Sequence, residues 1–397
     1  MKKETKKAPT IRFRGFTDDW EQRKLGECCQ EFKSGSFIPA SDIGDVGKYP
    51  VYGGNGLRGF SSEYNHDGEF ALIGRQGALC GNMNYSVGRA YFTEHAIVVQ
   101  ANKTADTKFL YYLLKKMNLG QYSDQSAQPG LAVGKLVKLI ALVPSVAEQI
   151  KIGYQFMGID HLITLHQRKL DQLKKLKKYF LQNMFPTKGE KVPRIRFKGF
   201  TGDWKQRKFG EIAEYKKGPF GSALKKDFFI PDSATSVKVY EQQNAINKNW
   251  NLSRYYISKE YAQKLKSFEV HAGDIIVSCA GTIGEIYELP AQSRSGIINQ
   301  ALMRIRVDEE TVCKDIFKLA FSNMIDSFSR EFSNGSAIKN IPPFADLKPM
   351  KVLLPNKDEQ KIIGDFFTDI DKTITLHQRK LNQLQTMKKF MLQNLFI

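Results

Sequence analysis

The chain contains ITLHQRKLDQL at Ile163–Leu173 and ITLHQRKLNQL at Ile374–Leu384. The repeat extends on both sides: at a fixed offset of 211 residues, 23 of 38 positions are identical between residues 148–185 and 359–396. Apolar residues recur at steps of three and four, which is typical of an amphipathic helix that packs against another helix. Each copy is therefore predicted to form one helix of about 57 Å, at 1.5 Å per residue.

The apolar stripe of each predicted helix forms a seam, and the best partner for one copy is the other. The first helix leads out of the first half of the chain and the second begins in the second half, so an antiparallel pair is expected. The predicted seam positions are Ile163, His166, Leu170, Leu173, Phe180, Ile374, His377, Leu381, Leu384 and Leu395, and Leu176 and Met387 continue the stripe.

Two histidines, His166 and His377, lie on this seam. A polar seam residue that sets helix register is favoured over a metal ligand, because no carboxylate or cysteine accompanies either histidine at ligand spacing. A second face of the first helix is basic, and its lysines and arginine fit a solvated surface and phosphate contact equally well. These basic residues are Arg168, Lys169, Lys174, Lys175, Lys177 and Lys178.

A second repeat precedes each helix. IRFRGFTDDWEQRKLGE (Ile11–Glu27) recurs as IRFKGFTGDWKQRKFGE (Ile195–Glu211), with 13 of 17 positions identical at an offset of 184. The chain is thus a tandem of two modules, which predicts a pseudo-twofold internal repeat. The predicted parts are lead segment 1 (1–27), variable region 1 (28–144), the central long helix (145–186), lead segment 2 (187–211), variable region 2 (212–355) and the C-terminal long helix (356–397).

Both variable regions mix short strands with one clear helix and many Gly, Asn and Ser turns, which predicts an α+β class. The architecture expected is two globular domains of mixed helix and strand, separated by the pair of long antiparallel helices as a coiled coil. The second region is longer, and its surplus is expected in loops, where added length costs little closure entropy. Predicted strands cover 68–74, 95–99, 138–144, 273–279, 300–307 and 350–355, and predicted helices cover 107–118 and 314–328.

Composition narrows the class of protein. Sixty Lys and Arg against 41 Asp and Glu give a net charge of +19, which favours a polyanionic partner such as nucleic acid. The five cysteines show neither a disulfide framework nor zinc-ligand spacing, and a reducing cytoplasm fits them. The N-terminus has no apolar segment of a signal peptide, and no apolar run is long enough for a membrane span.

Motifs for catalysis are weak. Pro342–Pro343–Phe344 resembles part of the loop of amino-methyltransferases, but Ile341 stands where the amide is needed, and GLAVGKL (Gly130–Leu136) lacks the spacing of a phosphate-binding loop. No catalytic or metal residue is therefore predicted. Glycine-rich loops instead present side chains that suit base edges, Arg for guanine and Asn or Gln for adenine. The predicted DNA-binding residues are Asn55, Arg58, Arg75, Gln76, Gln128, Lys135, Gln243, Asn244, Ser278, Thr282, Lys339 and Asn340, with Gln242 adjacent.

These repeats resemble the specificity subunit of type I restriction–modification systems. The resemblance covers essentially the whole chain and includes PVYGGNGLRGF (Pro50–Phe60) and the Pro-x-x-x-Glu-Gln motif before each helix, at 144–149 and 355–360. It implies that each variable region is a target recognition domain for one half of a bipartite, asymmetric DNA site, and that the helices set the spacer. It also implies docking of two methyltransferase subunits and of restriction–translocase subunits. S-adenosylmethionine, ATP and Mg are then expected on those partners, with no cofactor bound by this chain.

Two other function classes remain open from the residues alone. A self-sufficient DNA methyltransferase would bind S-adenosylmethionine by itself. A coiled-coil scaffold with basic surfaces would bind random and cognate duplexes equally.

Overall fold

The structure is a computed structural model that describes residues 8–123, 129–187, 189–332 and 341–397, without the side chains of 329–332. The chain forms two compact units. Unit 1 comprises Met1–Asp171 and Leu376–Ile397, and unit 2 comprises Gln172–Thr375. Each long helix contributes to both units.

Unit 1 is built around a six-stranded sheet in the order β2-β7-β5-β6-β3-β4, with a separate two-stranded sheet of β1 and β8. Its strands are β1 (Glu21–Lys24), β2 (Cys29–Ser34), β3 (Tyr49–Gly53), β4 (Gly56–Ser61), β5 (His66–Gly74), β6 (Met83–Phe92), β7 (Ala96–Ala101) and β8 (Ile140–Val143). Its helices are α1 (Thr107–Lys116), α2 (Val133–Leu136) and the first part of α3 (Val146–Asn183).

The central strand β5 is buried on both faces because its side chains alternate between two cores. Ala71 and Ile73 pack in the core that contains α1, whereas Phe70 and Leu72 pack in a smaller cluster on the other face. Helix α1 begins after Asp106, whose carboxylate accepts a hydrogen bond from Phe109 N at 2.8 Å. This N-cap satisfies a backbone N–H group that the first turn leaves unpaired.

Unit 2 contains two four-stranded sheets, in the orders β10-β17-β14-β15 and β12-β11-β16-β13, and a two-stranded sheet of β18 and β9. Its strands are β9 (Lys205–Lys208), β10 (Ala213–Lys217), β11 (Ser236–Tyr240), β12 (Tyr255–Ser258), β13 (Glu269–Val270), β14 (Ile275–Ser278), β15 (Ile286–Glu288), β16 (Gly296–Ile298), β17 (Leu302–Val307) and β18 (Lys351–Leu354). Its helices are α4 (Phe209–Ile212), α5 (Gln242–Ile246), α6 (Lys259–Lys264), α7 (Lys314–Phe332), α8 (Phe344–Leu347) and the first part of α9 (Lys357–Asn394).

The expectation that the surplus of variable region 2 lies in loops is wrong for the stretch before β14. The longer stretch before β14 folds into the second sheet with helices α5 and α6. Two residues explain why this sheet is stable: Tyr240 and Ile298 are fully buried and join Ile276 of the other sheet in one apolar cluster. Part of the longer stretch therefore lies in a buried core shared with β14 and β16, which offsets the entropy of ordering it.

The two long helices are antiparallel within each unit, as predicted. In unit 1, Lys388 Nζ of α9 donates to Asp160 Oδ1 of α3, and the two histidine Nδ1 atoms of His166 and His377 lie 2.9 Å apart. In unit 2, Lys177 Nζ of α3 donates to Asp371 Oδ1 of α9 at 2.6 Å. The two ion pairs are equivalent under the 211-residue offset, so the same contact is made once in each unit.

The seam positions differ in burial. Leu170, Leu381, Leu384 and Leu395 are buried, and the other predicted seam positions are half-buried. The extension of the stripe to Leu176 and Met387 is wrong, because these side chains are 44% and 40% exposed.

Each lead segment is attached to a helix end. In unit 1, Arg12 Nε and Nη2 donate to the two carboxylate oxygens of Glu148 at 2.8 Å, and Ile11 N donates to Asn394 O at 3.0 Å. Trp20 packs edge-on against Phe396, whose ring centroid is 6.5 Å away. The N-terminal lead segment therefore joins the first core to the end of α9.

Unit 2 repeats this attachment. Arg196 donates to both oxygens of Glu359 at 2.7 Å, and Ile195 N donates to Asn183 O at 2.9 Å. Trp204 packs edge-on against Phe185 at 5.8 Å. The repeated sequence thus specifies the same contacts twice.

Candidate nucleic-acid interface

Three loops of unit 1 converge because two glycines allow their backbones to touch. A Cβ atom on Gly54, at the β3–β4 hairpin, would lie 2.8 Å from His95 O. A Cβ atom on Gly74, at the end of β5, would lie 2.5 Å from Gly54 O. Real Cβ atoms do not approach so closely, so only glycine permits this junction. The hairpin tip, the end of β5 and the β6–β7 turn therefore form one edge of the domain.

Four of the predicted DNA-binding residues lie at this junction. Asn55, Arg58 and Gln76 are exposed, and Arg75 is half-buried. The Arg75 backbone is fixed on both sides, since its N donates to His95 O and its O accepts from Leu131 N, each at 2.9 Å. The result is a set of amide and guanidinium groups on a rigid backbone, which suits base edges.

Unit 2 uses the same backbone frame with a different side chain. Cys279 N donates to Ala301 O at 2.8 Å, and Cys279 O accepts from Ile341 N at 3.3 Å, the bonds that Arg75 makes in unit 1. Cys279 is 2% exposed, and burial raises the pKa of its thiol to about 12. A buried neutral thiol thus stands where unit 1 has a guanidinium.

The structure contradicts the DNA-binding prediction for two residues. Asn244 is 2% exposed, and its carboxamide accepts from Glu241 N and donates to Asn249 O and Leu252 O. Ser278 is fully buried, and its Oγ accepts from Glu285 N at 3.0 Å. Both side chains shape local turns, and neither is accessible to a base.

The other predicted residues keep their status as predictions. Gln243 and Thr282 are exposed, although Gln243 Oε1 also accepts from Asn247 Nδ2 at 2.9 Å. Gln242 lies beside the Thr282 turn, since a Cβ atom on Gly281 would be 3.8 Å from its Nε2. Lys135 is exposed on α2. Gln128, Lys339 and Asn340 lie outside the described residues.

Unit 2 contains a buried lysine in the second sheet, on β11. Lys238 is 2% exposed, its Nζ donates to Trp250 O, and its ammonium lies 4.5 Å from the ring centroid of Tyr240. Burial lowers the pKa of Lys238 to about 8. Because the side chain is enclosed by rings, it is not part of the accessible surface.

In the part of the chain that the structure describes, no group of three His, Cys, Asp or Glu side chains is placed to hold a metal ion. His166 and His377 meet only each other on the seam, one imidazole donating and the other accepting. All five cysteines lie in described ranges and are free thiols. Among the described helices, none has the length and apolarity required to cross a membrane.

Sequence reasoning missed an apolar pair on the outer face of each helix. Leu176 and Tyr179 are 44% and 52% exposed in unit 2, and Met387 and Phe390 are 40% and 52% exposed in unit 1. The pairs are equivalent at the 211-residue offset. The repeated sequence contains both pairs, but the three- and four-residue spacing assigned Leu176 and Met387 to the seam.

The fold and these surfaces describe a protein that presents two unlike side-chain sets on one repeated backbone frame. Residues 17–175 and 201–386 match the family model described as type I restriction modification DNA specificity domain. The chain belongs to this family, as the repeats had indicated.

Individual relatives agree with this assignment. The chain is 46% identical over 137 residues to the EcoprrI type I restriction enzyme specificity subunit of Escherichia coli, covering 34% of each chain. It is 22% identical over 406 residues to the MjaVIII specificity subunit of Methanocaldococcus jannaschii, covering 94% of this chain and 91% of the relative. The match to a Haemophilus influenzae specificity subunit, at 24% identity, covers 60% of each chain, so two of these matches span less than two thirds of the relative.

Solved structures share the fold. The crystal structure of the type I restriction–modification S subunit from M. genitalium aligns with a TM-score of 0.71 at 14% identity, covering 98% of this chain and 99% of that chain. A structure from work on complex assembly and conformational transition of the type I system aligns with a TM-score of 0.51 at 14% identity, covering 94% and 96%.

Proposed function

We propose that this chain is the DNA sequence-recognition subunit of a type I restriction–modification complex, in which each variable region reads one half of a bipartite site. The observation that carries the proposal is the pair of equivalent positions Arg75 and Cys279. One backbone frame, fixed by the same hydrogen bonds, presents a guanidinium in unit 1 and a buried thiol in unit 2. The two half-sites therefore differ in sequence, and the whole site is asymmetric.

Residue chemistry supports DNA as the partner. Arginine pairs with guanine O6 and N7, and Asn or Gln pairs with adenine N6 and N7, in the major groove. The junction of unit 1 holds Asn55, Arg58, Arg75 and Gln76 on one edge. The net charge of +19 supplies attraction to phosphates that is independent of sequence.

The long helices set the spacer between half-sites and dock two methyltransferase subunits. The exposed outer pairs, Leu176 with Tyr179 and Met387 with Phe390, repeat on both helices. Exposed aromatic and Met side chains are typical of interface cores. Two equivalent surfaces suit two copies of one partner. S-adenosylmethionine, ATP and Mg then act on the methyltransferase and restriction–translocase subunits, and this chain performs no catalysis in the cytoplasm where the complex works.

The experiment is an exchange of variable region 1, residues 28–143, for that of another specificity subunit. Methylated adenines are then mapped across a genome in cells that express the chimera with its methyltransferase partner. One half-site is expected to change while the other half-site and the spacer stay the same. The matched control exchanges variable region 2, and it should change the opposite half-site only.

Several outcomes would refute the proposal. A chimera that alters both half-sites would show that a variable region does not read one half-site independently of the other. Methylation of DNA by the purified chain alone would show an enzyme. Equal affinity for random and cognate duplex in the presence of the methyltransferase would show a scaffold without sequence preference.

A further inference from the structure

Each unit exposes one phenylalanine far more than a folded domain normally does. Phe37 is 71% exposed and Phe220 is 89% exposed, and among the phenylalanine side chains that the structure describes these are the two most exposed. A single exposed apolar side chain is ordinary. The same residue type at the same structural position in two otherwise different domains requires a reason.

The two phenylalanines occupy equivalent positions, as the backbone register shows. Gly35 N donates to Ala96 O at the start of β7, and Gly218 N donates to Leu302 O at the start of β17. In each case the phenylalanine follows this glycine by two residues, within Lys33–Phe37 (KSGSF) and Lys216–Phe220 (KKGPF). The offset between these residues is 183, which matches neither sequence repeat, so the equivalence is structural.

Gly35 and Gly218 each pack so closely against a neighbouring turn that the residues after them lie at the surface. A Cβ atom on Gly35 would clash with Phe92 O and lie 2.5 Å from Thr93 O, and one on Gly218 would clash with Asn299 O. Both glycines therefore press the strand end against the preceding turn. The residues that follow each glycine, including Phe37 and Phe220, lie beyond this contact and project from the surface.

The backbone of each phenylalanine is fixed while its ring is exposed. Phe37 O accepts from Tyr91 Oη at 2.8 Å, and the next residue, Ile38, is 8% exposed. Phe220 O accepts from Ala223 N at 2.9 Å, which closes a short turn. Because the backbone is already ordered, a partner that covers the ring has only the side-chain rotamer to immobilise.

Both phenylalanines lie near the backbone frame that carries Arg75 in unit 1 and Cys279 in unit 2. Ser36 forms a β-bridge with Thr93, two residues from the His95 carbonyl that fixes Arg75. In unit 2, Gly221 lies beside Gln300, where a Cβ atom would be 3.8 Å from its Nε2, and Gln300 precedes the Ala301 carbonyl that fixes Cys279. Phe37 therefore continues the surface assigned to DNA in unit 1, and Phe220 occupies the equivalent position in unit 2.

We propose that Phe37 and Phe220 are specificity-determining residues that contact DNA bases through apolar surface, one in each half-site. An apolar ring gains nothing from a phosphate, whereas base faces and the thymine methyl group offer it contact area. A lysine precedes each ring, Lys33 four residues before Phe37 and Lys217 three residues before Phe220, and supplies a phosphate contact beside it. The inference rests on the proposed DNA-reading function.

The test uses the full chain in complex with its methyltransferase partner and measures duplex affinity at several salt concentrations. Phe37→Ala and Phe220→Ala are each expected to weaken binding to the cognate duplex roughly tenfold. The slope of log affinity against log salt should stay unchanged, because no phosphate charge is lost. Phe37→Trp should retain most of the affinity, since a larger ring preserves the contact.

Val87→Ala is the matched control. Val87 is 66% exposed, and it lies in the middle of β6, away from the loop junction that carries Arg75. It should bind as the wild type does. Wild-type affinity in both phenylalanine variants, with circular dichroism confirming the fold, would overturn the inference. Failure of the wild-type complex to prefer its cognate duplex would instead overturn the proposed function.

Discussion

Removal of Arg12 should release the start of lead segment 1 from the helix ends that it contacts. Glu148 is fully buried, and the Arg12 guanidinium supplies both of its hydrogen bonds from a side chain that is 15% exposed. Arg12→Ala therefore leaves a buried carboxylate without its counter-charge. Breaking such a pair from one side costs about 3–5 kcal/mol, because the remaining charge keeps its desolvation penalty.

Hydrogen exchange of single amides measures this cost locally. The Ile11 amide donates to Asn394 O, so it is protected only while lead segment 1 is in place. A loss of about 3 kcal/mol corresponds to roughly 100-fold faster exchange. The equivalent amide of unit 2, Ile195 N, should be unaffected, since it depends on the Arg196–Glu359 pair.

Two control variants decide the interpretation. Arg14→Ala removes an exposed arginine from the same segment and should change exchange by less than about twofold, as surface substitutions usually do. Arg196→Ala should reverse the pattern and release Ile195 while Ile11 stays protected. Equal exchange of the Ile11 amide in Arg12→Ala and Arg14→Ala would refute the assignment of the buried pair as the attachment of the segment.

Three further outcomes follow from the structure. Arg75→Ala should relax sequence preference at one position of one half-site by about 1–3 kcal/mol, measured by competition among duplexes that differ at single base pairs. Tyr179→Ala and Phe390→Ala should each reduce the bound methyltransferase from two copies to one in native mass spectrometry, and two bound copies in both variants would contradict the docking assignment. Lys238 titrates at about 8 in the fold and at 10.5 when unfolded, so the neutral amine favours the folded state. Relative to Lys238→Met, the wild type should gain up to about 3 kcal/mol of unfolding free energy as pH rises from 7 to 10.5, and lose it as pH falls through 8, in chemical denaturation.

Local patterns predicted the elements whose burial is one-sided or complete. The strand at Gly68–Gly74 and the helix at Thr107–Asn118 appear as β5 and α1 with small changes at their ends. The α+β class and the antiparallel helices are confirmed. The helices could be predicted because both copies of the repeat carry the same apolar stripe. The longest strand of unit 1, β6 (Met83–Phe92), was missed because Ser86, Gly88 and Arg89 interrupt its apolar alternation.

The candidate site was harder to predict because burial depends on tertiary contacts. Asn244 has the residue type of a base contact, yet three backbone groups use its carboxamide. Ser278 is fully buried, and its hydroxyl accepts a hydrogen bond from Glu285 N, a contact that the residue type did not reveal. By contrast the loops that carry Asn55 and Arg75 meet through close approach of Gly54 and Gly74, which the motifs GGNG and GRQG already contained.

The attachment of the C-terminal helix end to the first core constrains how the chain matures during translation. Leu395 and Phe396 belong to the same apolar core as Trp20 and Phe109. About 200 residues of unit 2 are synthesised between the two parts of unit 1, which takes roughly 10–40 s at the usual rate of elongation. The last apolar residues of the first core are therefore made after unit 2 is complete, so we expect part of that core to stay uncovered until the end of translation. This uncovered apolar surface makes the nascent first domain a site at which chaperone binding is expected.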